Sequence, residues 1–125
     1  LMLKVDLDQT VGIATLEPEG ELAESDFSAA AGIIDPYLEQ VGELKGIIIH
    51  TKSFPGWSSF SSLIAHLKFV REHHTKISRV AFVTDSPIGN FAEHVASHFV
   101  NAEIRNFDFC ELETSRKWIL DGDIQ

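Results

Sequence analysis

Gly46-Ile-Ile-Ile-His50, Phe54-Pro-Gly-Trp57, the hydroxyls Ser58 and Ser59, and Arg79-Val-Ala-Phe-Val-Thr84 decide the fold of this chain. The first and last of these runs are short, rich in β-branched residues and nearly free of polar alternation. Such runs read as strands buried on both faces. Between them Phe60, Leu63, Ile64, Leu67 and Val70 recur at helical spacing, and a serine stands where a cap is expected. The spacing predicts a helix over 58–73. Strand, turn, helix and strand make a β-α-β unit, so the two strands are expected to be parallel neighbours.

Outward from that unit the pattern continues. Residues 3–7 and 11–16 are two β-type runs separated by Asp8-Gln9-Thr10, which reads as an antiparallel pair. Pro18-Glu-Gly20 is expected to end the second strand. A helix is expected from Glu24 or Ser25, with the stripe Phe27, Ala30, Ala31, Ile34, Leu38 and Val41. The stripe keeps its phase across Pro36, which predicts one kinked helix rather than two. Ser86-Pro87 then signals a third helix, with Ile88, Phe91, Ala92, Val95, Ala96 and Phe99 on its apolar face. Residues 102–107 read as a last strand. Asp108 and Glu111 read as a capping box for a final helix through Leu120, with a frayed tail over 121–125. The class is α/β: a mixed sheet that opens with an antiparallel hairpin, continues in β-α units and is flanked by helices.

A length of 125 residues fits one domain over 1–125. The formal net charge is -9 and no basic cluster interrupts it, so phosphate backbones and anionic lipid surfaces are disfavoured partners. Cys110 is the single cysteine, which excludes an intramolecular disulfide. No apolar run is long enough for a spanning helix. No charged-then-apolar leader opens the sequence, so the expected compartment is the cytoplasm. The chain opens Leu1-Met2, and its native start is expected at Met2 or upstream.

The apolar strand to Ile49, then Phe54, Gly56 and Trp57, Lys68, the Arg79-Val-Ala-Phe-Val strand, residues 102–107 and Trp118-Ile119 together resemble a SpoIIAA-like protein. That family belongs to the broad group of STAS-type domains, and the likeness spans nearly the whole chain. It implies a bacterial regulatory domain with a four- or five-stranded mixed sheet. It also implies kinship with anti-sigma-factor antagonists and, more distantly, with CRAL-TRIO lipid-binding domains. Anti-sigma-factor antagonists carry a phosphorylated serine at the start of the helix after the third strand, typically within Asp-Ser-Ser-Gly. The matching stretch here is Gly56-Trp-Ser-Ser-Phe60. Ser58 and Ser59 fall near the phosphosite, while the Asp and the Gly of that setting are missing and Trp57 stands just before the serines.

The residues nominate one site. Pro55-Gly56 suits the centre of a type II turn, and Phe54, Trp57 and Phe60 surround it with aromatic surface. Open α/β sheets bind ligands at the carboxyl ends of their strands, which is where this turn is expected. Phe54, Gly56, Trp57, Ser58, Ser59 and Phe60 are therefore the candidate partner- or ligand-binding residues. A capping role for Ser58 and a core-edge role for Trp57 are the plain structural readings of the same residues. His94 and His98 lie four apart but on a polar helix face with no third ligand placed, so no metal site is expected. His73 and His74 suit a helix C-terminus. His50, alone at a strand end, is weak evidence for a site. Cys110 has no histidine motif beside it, and no phosphate loop or nucleophile elbow occurs. The expectation is a non-enzymatic regulatory protein-binding module without cofactor. The alternative is a domain that binds a small apolar ligand or lipid. The oligomeric state is left open, a homodimer included.

Overall fold

The computed structural model describes residues 2–19, 24–52, 77–85 and 103–122. Within them run β1 (Met2–Asp8), β2 (Ile13–Glu19), α1 (Glu24–Val41), β3 (Leu44–His50), β4 (Ile77–Val83), β5 (Glu103–Phe107) and α2 (Leu112–Asp121). The helices expected over 58–73 and 86–99 lie outside the described residues, as do 123–125.

The five strands form one sheet in the order β1-β2-β3-β4-β5. β1 and β2 are antiparallel, from Met2 opposite Glu19 to Asp8 opposite Ile13. All later pairs are parallel: Ile13 beside Gly46, Leu44 beside Ile77, and Arg79 beside Glu103 open the three registers. This is the mixed α/β sheet that the hairpin and the β-α units predict.

The side-chain period of two explains how Ile47, Ile48 and Ile49 can all be buried. Ile47 and Ile49 join Ala14, Leu16, Val80 and Phe82 beneath Ala30, Ile34 and Leu38 of α1. Ile48 joins Ile13, Ala81, Val83 and Phe107 beneath Trp118 and Ile119 of α2. The two helices thus lie on opposite faces, and residues 46–49 of β3 and 80–83 of β4 are buried. α2 approaches closely because residue 46 is glycine. A Cβ there would stand 2.6 Å from Ile119 Cγ2 and 2.9 Å from the Arg79 carbonyl oxygen.

The local punctuation needs adjustment. β2 ends at Glu19, inside Pro18-Glu-Gly20 as expected, with Pro18 itself still within the strand, opposite Leu3. Parallel pairing with β3 stops at Leu16, so the missing N–H of Pro18 breaks no bond on that side. Val11 is not in the strand: the turn extends to Gly12, whose φ of 76° sits in the left-handed region. Its N–H donates to the Asp8 carbonyl at 2.8 Å, and its carbonyl accepts from the Lys45 N–H at 2.8 Å. Asp108 does not cap α2 through its side chain, and the N-cap position falls on Glu111 without a side-chain cap bond. Glu111 Oε1 instead accepts from the Asp108 N–H at 2.9 Å, closing a turn ahead of the helix. α1 does run continuously through Pro36, but its last residue, Val41, is 52% exposed. Leu38 is the last residue of the stripe to reach the sheet.

α2 is held at both ends of its packing. Arg79 Nη1 donates to the carbonyls of Trp118 and Ile119, each at 3.0 Å, and its guanidinium carbon lies 5.5 Å from the centre of the Trp118 ring. A cation at carbonyls of the last turn complements the helix dipole. Arg116 Nη2 donates to Asp8 Oδ2 at 3.0 Å and ties α2 to the β1–β2 turn. The Thr10 hydroxyl, and after it Arg116, hold the Asp8 carboxyl below its ordinary value. A depressed folded-state pKa contributes stability above the unfolded value that is lost as pH falls through the folded one. The stability difference between wild type and Asp8→Asn is therefore expected to be level above about pH 5 and to shrink below about pH 4, read by urea unfolding across pH.

Candidate functional site at the carboxyl edge of the sheet

β2, β3, β4 and β5 deliver their last residues to one edge. The chain leaves β3 there as Thr51-Lys52 and leaves β4 as Thr84-Asp85. Both threonines are buried, and both continue the ladder after their strands end. The Thr51 N–H donates to the Val83 carbonyl at 3.2 Å, and the Thr84 N–H to the Phe107 carbonyl at 2.9 Å. Their hydroxyls reach sideways as well: Thr51 Oγ1 to the Pro18 carbonyl and Thr84 Oγ1 to the Lys52 carbonyl, each at 3.4 Å. Threonine suits this place, since its β-branch fits a strand end while its hydroxyl satisfies a carbonyl that the shortened ladder leaves over.

On the α2 face of this edge sits His50. Strand alternation places it above Ile48 and opposite the end of β2. Its Nδ1 lies 3.1 Å from Glu17 Oε2, and its Nε2 lies 3.2 Å from the Phe109 carbonyl oxygen. The imidazole also stacks on the Phe109 ring, with centroids 4.5 Å apart and planes 14° from parallel. The His50 side chain is 13% exposed, while the Glu17 side chain is 34% exposed. Lys4 Nζ approaches the other Glu17 oxygen at 4.0 Å. The Phe109 N–H donates to Asp85 Oδ1 at 3.1 Å. The β5–α2 turn is thus fastened to the edge from two sides, by His50 at the end of β3 and by Asp85 after β4.

The structure brings together a group that sequence reading left scattered. His50 was weak evidence as a lone strand-end histidine; with Glu17 and Phe109 it becomes the polar centre of the edge. Glu17 and Phe109 carry no local signal, because their partner is distant in sequence. Glu17 does stand on the same strand face as Ile13 and Thr15, and a charged residue at the close of a buried strand is the trace that points to it. Phe54, Gly56, Trp57, Ser58, Ser59 and Phe60 lie outside the described residues, as do His73, His74, His94 and His98. The segment with Phe54 to His74 begins directly after Lys52, and that with His94 and His98 directly after Asp85, both at the edge just described. Cys110 is exposed. Among the described residues no group of three or more histidine, cysteine or carboxylate side chains is placed to hold a metal. No helix among them is long and apolar enough to cross a membrane.

A family model described as SpoIIAA-like matches residues 13–120. No curated protein and no solved structure matches the chain.

Proposed function

The chain belongs to the SpoIIAA-like family, and on that premise we propose that it is a non-enzymatic regulatory module, akin to anti-sigma-factor antagonists, that binds a protein partner. Residues 1–125 act as one domain in the cytoplasm. The binding surface is the segment after β3, with Phe54, Gly56, Trp57 and Phe60 as apolar contacts and Ser58 or Ser59 as the phosphoacceptor that modulates them. Phosphate at a helix start gains from free backbone donors and the helix dipole.

The observation that carries this reading is the edge itself. Thr51 and Thr84 tie the exit of β3 to β2 and to the exit of β4, so the chain past Lys52 leaves from a rigid base. A binding segment on a rigid base loses less conformational freedom on association than a free one. The acidic surface further favours a partner with basic contacts over nucleic acid.

Tryptophan is among the residues most enriched at interface hot spots. Trp57→Ala is therefore expected to remove at least about 2 kcal/mol of partner binding, measured by titration calorimetry. Urea unfolding of the same variant should stay within about 0.5 kcal/mol of wild type, as for a surface substitution. A large stability loss would make Trp57 a core residue instead. Native mass spectrometry that finds a retained lipid would replace the protein partner by an apolar ligand.

A further inference from the structure

His50 faces two hydrogen-bond acceptors and no donor among its described contacts. A neutral imidazole carries one N–H and one lone pair, so it can serve the Glu17 carboxylate or the Phe109 carbonyl but not both. The lone pair would then point at an oxygen 3.1 or 3.2 Å away. Only the doubly protonated ring donates to both. The stacked Phe109 ring adds a face that attracts a cation.

We propose that His50 is a proton-operated latch on the β5–α2 turn: protonated, it clamps Glu17 and the Phe109 carbonyl together, and loss of one proton releases Phe109. Imidazole is the side chain that changes charge between about pH 5 and 8. The sign follows from the acceptors. The clamp is complete at the acidic end of that window and is lost as pH rises.

The other charged groups at the site set the balance. Glu17 on β2 favours the cation, and Lys4 on β1, 4.0 Å from the second Glu17 oxygen, partly offsets it. Asp85 after β4 holds the Phe109 N–H and adds negative charge on the other side of the turn. Asp108 and Glu111 in the turn are tied to each other by the Asp108 N–H bond to Glu111 Oε1. Release of His50 leaves the turn with Asp85 as its remaining described fastening to the edge. The edge is where the chain continues past Lys52, so protonation would alter the surface beside that segment.

The test is nuclear magnetic resonance of the full chain from about pH 5.5 to about pH 8.5, the range of imidazole titration. The ring ¹⁵N shifts of His50 should show both nitrogens protonated at the acidic end and one at the basic end. Over the same step, amide protection at Phe109, corrected for intrinsic exchange, should fall roughly tenfold, the scale of one hydrogen bond to a charged group. His50→Gln cannot titrate and should abolish that step while the sheet amides of β3 and β4 stay protected. Glu17→Gln keeps the imidazole, removes the facing charge, and should move the step to lower pH; it serves equally if His50→Gln fails to fold. A single neutral tautomer across the whole range would overturn the latch. So would protection at Phe109 that ignores the titration, or that changes in the same way in His50→Gln.

Discussion

Replacing Trp118 with alanine is expected to cost about 3–5 kcal/mol of folding stability, measured by urea unfolding. The indole is 5% exposed and, with Ile119, supplies the buried apolar contact between α2 and the sheet. It lies against Phe107, with centroids 5.8 Å apart and planes tilted by 55°, in the range where aromatic pairs add to plain burial. The same cluster holds Ile13, Ile48, Ala81 and Val83, whose side chains are carried by paired strands and cannot shift far into a vacated ring. The cavity therefore stays open, and the cost is the lost transfer energy plus the unfilled volume. Arg79 would keep its carbonyl partners on α2 but lose the ring beneath its guanidinium. Trp118→Phe separates ring burial from the indole N–H. That N–H has no hydrogen-bond partner among the described residues, so phenylalanine should lose much less than alanine. Equal losses for the two variants would instead place the weight on a bond made by the N–H. A loss below about 1 kcal/mol for alanine would mean that α2 contributes little to the cooperative fold.

The sheet was legible because burial leaves a one-dimensional trace. Ile47, Ile48 and Ile49 point alternately to the two faces, so an unbroken apolar run at β3 meant two covered faces before either helix was placed. The α1 stripe kept its phase through Pro36, and the helix is continuous there. What failed was local punctuation. Pro18-Glu-Gly20 does bracket the end of β2, but Pro18 stays in the strand, since a strand whose second neighbour has already ended needs no donor at that position. Val41 fitted the period of α1, yet a period does not say where the sheet beneath a helix runs out. The site divides in the same way. His50 could be seen at a strand end, whereas its pairing with Glu17 joins residues 33 positions apart and its pairing with Phe109 spans 59. Such contacts are set by strand order and register, not by spacing along the chain.

Phe82→Ala is expected to be as damaging as the loss of Trp118, about 3–5 kcal/mol by urea unfolding, but through the opposite face. Phe82 is 1% exposed and is the largest of the fully buried side chains described. It sits on β4 between Ile49 of β3 and Asn106 of β5, facing the α1 layer. The ring fills a layer whose other buried members are Ile, Leu, Val and Ala, smaller side chains already fixed by the strands and helix that carry them. Its backbone is engaged too, since its carbonyl accepts from Asn106 Nδ2 at 3.1 Å. The next residue, Val83, carries the carbonyl that receives Thr51, so relaxation at Phe82 acts one residue from the functional edge. Alanine substitution should thus lower amide protection at Thr51 as well as global stability, whereas Trp118→Ala acts through Phe107, whose carbonyl receives the Thr84 N–H. Among the described residues the two layers meet through the backbone of the sheet. The milder pair Phe82→Leu and Trp118→Phe should therefore combine additively, within about 0.5 kcal/mol, as separate sites do. A coupling well above about 1 kcal/mol would show that the sheet bends to pass strain from one face to the other, and that the two helices do not pack independently.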